Sequence, residues 1–231
     1  MLPTDNGDRK VVVDSLGVGI ATGAYGVSFG AVATASGLDV WQACVLSLLV
    51  FTGASQFAFV GVVAAGGAPL AGTATAVLLG SRNAFYGVAL SPRLQVHGWR
   101  RLLTAHLVID ESTAMGLGQP DARRTRLAFR VTGVTIFVLW NLMTLVGAVA
   151  GEALGDPRAY GLDAAVGAAF LALLWPRLTA WPQRLVAVVG AGAAVGLVPL
   201  TAAGVPVILG GTVAVVVGML LTGPRTAEEA P

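Results

Sequence analysis

The chain has 231 residues, of which 55% are hydrophobic and only 11% charged, with a mean hydropathy of +0.79. A soluble domain carries about 25% charged residues, so a water-soluble globule of this size is excluded. The net charge of +2 does not point to nucleic acid, because the arginines lie mostly between apolar runs, as in the cytosolic loops of membrane proteins.

Apolar stretches of about 20 residues recur, and each can cross a hydrocarbon core of about 30 Å. The alternating segments of about 10 residues that mark a β-barrel do not occur. The sequence therefore predicts an all-α, polytopic membrane protein. A polar segment covers 1–10, a single transmembrane domain 11–222 and a polar tail 223–231. The start, MLPTDNGDRK, carries acids as well as bases, and the run after it is too long for a signal h-region. The lone Cys44 rules out a disulfide within the chain and reads as a small packed hydrophobe.

The first span is expected at about 11–35. Gly19/Gly23 and Gly26/Gly30 have the GxxxG spacing that lets a neighbouring backbone, or a second copy of the chain, approach closely. Asp14 reads as a favourable charge near the start of this helix. The second span, about 40–65, contains FTGASQF (51–57). The third, about 69–91, holds Arg82. After the polar connection 92–101 comes a stretch at 102–118 with His106, Asp110 and Glu111. It is too short and polar for a lipid-facing span and reads as a re-entrant piece or a buried helix. A basic loop at 119–126 leads to a clear span at about 127–150. Residues 152–163 are polar, and apolar runs follow at about 164–175, 183–198 and 203–222. Trp41, Trp99, Trp175 and Trp181 fall near predicted ends, where indoles favour the interface.

Arginine placement suggests a topology. Loops 92–101 and 119–126 both look cytosolic, which requires 102–118 to return to its own side. This gives seven spans plus one re-entrant piece with an outside N-terminus. Making 102–118 a true span gives eight, and Arg9 and Lys10 favour an inside N-terminus.

A charge within the membrane costs at least about 2.5–3.5 kcal/mol, so intramembrane polar residues carry most of the functional information. They are Asp14, Thr52, Ser55, Gln56, Arg82, Asn83, His106, Asp110, Glu111, Asn141 and Thr144. In FTGASQF, Gly53 weakens the helix, and Thr52 and Ser55 can bond back to carbonyls. The stretch reads either as an interrupted helix lining a substrate path or as polar glue between helices. Arg82 can clamp a substrate carboxylate, pair with an acid, or snorkel. Asp110 and Glu111 point about 100° apart on a helix. One can pair with Arg82 while the other takes up a proton, since burial raises a carboxyl pKa. A solvated loop at the membrane edge is the simpler reading of the two acids. His106 stands one turn before Asp110, placed for proton relay or at the interface. There is no HExxH, no Walker loop and no nucleophile–base pair, so neither an enzyme nor a cofactor is expected. A transporter and an accessory membrane scaffold remain.

The stretches FTGASQF (51–57), AAGGAPL (64–70), LLGSRNAFYGVAL (78–90) and LVIDESTAMG (107–116) resemble the AzlC family, the large subunit of branched-chain amino acid exporters. Trp140, GLDAAVGAAFLALLWPRL (161–178) and the Gly-rich C-terminal helices agree in position and character, so the resemblance covers roughly 10–222. It implies proton-coupled export of Val, Leu, Ile and sometimes Met across the cell's inner membrane, with a small AzlD-type membrane subunit as partner. It favours the interrupted-helix reading of FTGASQF. Under it, Gly53, Ser55, Gln56, Arg82 and Asn83 are the substrate-binding set, and Asp110 and Glu111 serve proton coupling. Gly80 and Asn83 depart from the Asn and His frequent in the family, and Ala24 from a frequent Pro.

Overall fold

A computed structural model describes residues 6–153, 171, 174, 175, 178–201 and 204–222. Among the described residues all regular structure is helical. The chain opens with α1 (Asn6–Ala24) and α2 (Gly26–Ala35), which meet at Tyr25 and together make a 30-residue apolar unit. Then follow α3 (Val40–Leu49), α4 (Ala54–Ala64), α5 (Pro69–Gly80), α6 (Arg82–Leu94), α7 (Arg100–His106) and α8 (Asp110–Leu117). The 32-residue α9 (Ala122–Ala153) comes next, then α10 (Trp181–Leu197), a 3-10 turn (Val198–Leu200) and α11 (Val205–Thr222). Three units are long and apolar enough to cross a membrane: Asn6–Ala35, Ala122–Ala153 and Trp181–Leu200. The expected spans at 40–65 and 69–91 are each divided into two shorter helices. The span expected at 164–175, most of loop 152–163 and the polar tail lie outside the described residues.

Local signals explain the helix starts. Asp39 caps α3 by accepting the Gln42 N–H at 2.7 Å, and Gln42 Oε1 accepts the Asp39 N–H at 3.0 Å, a reciprocal capping box. Pro69 opens α5, where its missing N–H costs nothing. Asp14 is not at a helix start. The first helix begins at Asn6, so Asp14 lies two turns in and pairs with Lys10 on the surface.

The α1–α2 unit lies along α9 over its whole length, and the two run in the same direction. Gly19 faces Thr135, Gly23 faces Leu139, Gly30 faces Thr144, and Gly151 faces Ala31 and Thr34. A Cβ at Gly30 or Gly147 would run into the opposing backbone, so glycine here permits an approach that no other residue allows. The ends agree with this. Buried Asp8 in the first turn of α1 accepts hydrogen bonds from Arg123 and Arg124 at the start of α9. Arg93 Nη1 donates to the Gln119 carbonyl at 2.8 Å, and Arg126 Nη1 to the Arg93 carbonyl at 2.9 Å. The N-terminus and loop 119–126 therefore share one side. An outside N-terminus with an inside 119–126 loop does not fit these contacts.

The shorter helices pack around this pair. Ser47 of α3 meets Thr144 at 3.3 Å, and Phe51 meets Phe137, so α3 descends antiparallel to α9. In α8, Ser112 lies beside Gly133, and Gly116 beside Phe129 and Thr125, so α8 continues in that same antiparallel sense further along α9. Helices α4 and α5 form an antiparallel pair in which Gly72 admits Phe59 and Gly80 admits Ser55. Helices α10 and α11 form another through Gly190 and Gly210. The central core is aromatic. Phe29 and Phe57 pack edge to face at 5.4 Å, and Trp140 joins both.

Candidate functional site

Two breaks meet in the interior. The first follows Leu49. Gly53 adopts φ 63° and ψ −87°, a conformation that only glycine takes without strain. The chain then re-enters a helix at Ala54. Gly53 has no side chain to cap α4, but its own N–H donates to Gln56 Oε1 at 3.1 Å. The second break follows His106. Ile109 cannot cap α8 either, and its N–H donates to Ser112 Oγ at 3.1 Å. Ser112 passes its own proton to the Leu107 carbonyl at 2.6 Å. Residues at the start of both α4 and α8 border the same cavity. Helix N-termini carry unpaired N–H groups and partial positive charge.

The breaks are also tied together. His106 Nε2 lies 2.9 Å from the Leu48 carbonyl. A carbonyl only accepts, so the ring donates from Nε2 and satisfies an orphan acceptor at the end of α3. His106 is thereby committed to this joint.

The cavity has a volume of about 270 Å³, near the lower end of the range of about 300–1,000 Å³ for small-molecule sites. Its walls include Ile109, Ile136, Leu79, Phe57 and Trp140; Thr52, Arg82, Asp110 and Glu111 supply polarity. Arg82 gives Nε to Asp110 Oδ1 at 3.1 Å and Nη2 to Oδ2 at 2.9 Å, while Nη1 donates to the Leu79 carbonyl at 3.0 Å. The guanidinium is thus in a bidentate acid pair, one of the readings open to it from sequence. Both side chains are a little over one-fifth exposed. Glu111, on the next helical position, also borders the cavity. The acids sit in the first turn of α8, beside the first break.

Of the seven candidates, Gly53, Arg82, Asp110 and Glu111 come together here. Ser55, Gln56 and Asn83 do not border the cavity. Gln56 is fully buried and serves the Gly53 turn through Oε1, while its Nε2 has no partner. Ser55 packs on Gly80, and Asn83 Oδ1 is buried without a partner. Asn141 bonds back to the Phe137 carbonyl at 2.7 Å. No group of three metal-ligating side chains occurs among the described residues.

Sequence reasoning did not assign Trp140 to the site. Its signal was its position: an indole in the middle of an apolar span is far from the interface where tryptophan usually sits. Trp140 is 4% exposed, borders the cavity, and its Nε1 has no hydrogen-bond partner.

Apolar helices long enough to span, with broken helices around a largely apolar cavity that carries a few polar side chains, define a helical membrane protein. The family described as AzlC protein matches residues 17–154. The chain belongs to the AzlC family, which carries with it a role in membrane transport. No curated protein and no solved structure matches the chain.

Proposed function

We propose that this chain is the transporting subunit of a proton-coupled exporter of branched-chain amino acids, Val, Leu and Ile with Met as a lesser substrate. It acts as a carrier, not an enzyme, as a multi-pass protein of the cell's inner membrane, with a small AzlD-type subunit as partner. The observation that carries this reading is the cavity itself. It places the starts of α4 and α8 and the Arg82, Asp110 and Glu111 side chains against apolar walls in one partly open pocket. An amino acid has the complementary parts: an anion, a cation and, in this class, a branched apolar side chain. The Arg82–Asp110 pair fixes the edge of the site. Glu111 is the residue proposed to carry the coupling proton, because it is the cavity-lining carboxylate next to the Arg82–Asp110 pair.

The test is export from cells loaded with dipeptides of valine, leucine, isoleucine or methionine. The chain is expressed alone and with a small partner subunit. Faster export that collapses when the proton gradient is dissipated is the expected result. Unchanged export in both conditions, with the protein located in the membrane, overturns the reading in favour of an accessory scaffold or another solute.

A further inference from the structure

The cavity is bordered by both acids and hydrogen-bond donors. Arg82 is engaged by Asp110, and Glu111 also borders the cavity. Two guanidinium nitrogens are committed to Asp110 and the third to the Leu79 carbonyl, so Arg82 is already engaged. Hydrogen-bond donors line the same cavity. Among the first N–H groups of α4, Gln56 and Phe57 bond to the Gly53 carbonyl, and none is reached by a capping side chain. Thr52 Oγ1 is buried without a partner, and so is Trp140 Nε1. The Trp140 ring comes within 3.9 Å of where a Cβ at Gly53 would stand, so the indole sits against the turn that opens α4. An indole N–H buried without an acceptor is costly, and tryptophan can only donate.

We propose that Trp140 Nε1–H, with the Thr52 hydroxyl and the Ala54 N–H that opens α4, binds the carboxylate of the transported molecule. This deepens the amino acid reading above and rests on it for the identity of the substrate. Neutral donors at a helix N-terminus hold a carboxylate without adding a fixed charge. Arg82 is left to orient Asp110. The zwitterion lies with its carboxylate toward α4 and Trp140 and its ammonium toward Asp110 and Glu111. Its side chain then packs on Ile109 and Ile136.

The test is calorimetric titration of the purified full chain in lipid nanodiscs with three probes. These are leucine, its deaminated analogue 4-methylpentanoate and its decarboxylated analogue isopentylamine. Trp140→Phe keeps the ring and removes the donor. It should weaken leucine and 4-methylpentanoate roughly 10- to 100-fold, the loss expected for one hydrogen bond to a charged group, and leave isopentylamine unchanged. Thr52→Val should give the same pattern with a smaller loss, and it decides the matter if Trp140→Phe does not fold. Wild-type protein that binds 4-methylpentanoate but not leucine upholds the carboxylate site and sinks the amino acid reading. Variants that bind both carboxylates like the wild type overturn the proposal. So does an equal loss of all three probes, which marks a purely structural role, or a wild type that binds neither carboxylate.

Discussion

Gln56 and Ser112 occupy the same position, N3, of α4 and α8, and each accepts the backbone N–H of its own N-cap residue, at 3.1 Å in both cases. The N-cap residues, Gly53 and Ile109, have no side chain that can cap in return, though the Gly53 carbonyl accepts the Gln56 N–H at 3.0 Å and the Ile109 carbonyl the Ser112 hydroxyl at 3.3 Å. At each joint the N3 side chain therefore supplies the cap that the N-cap side chain cannot. Removing the acceptor strands a backbone N–H away from water. Gln56→Ala and Ser112→Ala are each expected to cost about 1–3 kcal/mol, read as a lower midpoint of thermal unfolding in detergent. Gln56→Glu keeps the acceptor but buries a charge, and should not restore stability.

The glycine contacts between α2 and α9 yield a paired prediction. Gly147 abuts the Val27 carbonyl and has no room for a Cβ, whereas Gly17 has nothing within 4 Å. Gly147→Ala should destabilise by about 1–3 kcal/mol through overpacking. Gly17→Ala should stabilise by up to about 1 kcal/mol from helix propensity. Thermal unfolding of the two variants side by side checks the sign of each.

The Arg82–Asp110 pair is bidentate and partly enclosed. Taking away one partner of such a pair leaves an uncompensated charge, worth up to about 3–5 kcal/mol when burial is complete. Arg82→Met and Asp110→Leu should each be less stable than the double variant. A double-mutant cycle measures the coupling, and additive single losses would argue that the pair is not formed in the membrane.

Asp8, Arg123 and Arg124 hold the N-terminus beside loop 119–126. In a Cys44→Ser background, cysteines introduced at Asn6 and at Asp121 should react with a membrane-impermeant maleimide from the same face. Labelling from opposite faces contradicts the arrangement of α1 and α9 found here.

By itself the sequence determined the class. Low charge and long apolar runs leave helices in a membrane as the way to satisfy the backbone. The weak point at FTGASQF was also legible, because Gly53 among hydroxyls and an amide is a poor helix interior. Other features were decided only in three dimensions. That Arg82 meets Asp110 depends on a contact 28 positions apart. The N-terminus shares a side with loop 119–126 because a glycine face lets α1 and α2 lie parallel on α9. Hydropathy and arginine counts do not encode that partner choice. Trp140 enters the site for the same reason. Its neighbours in the chain are apolar, and only the packing of α9 against the break at Gly53 brings the indole donor to a cavity. Periodicity along a chain reports which residues are apolar; which helix covers which face is set by the close approach of backbones.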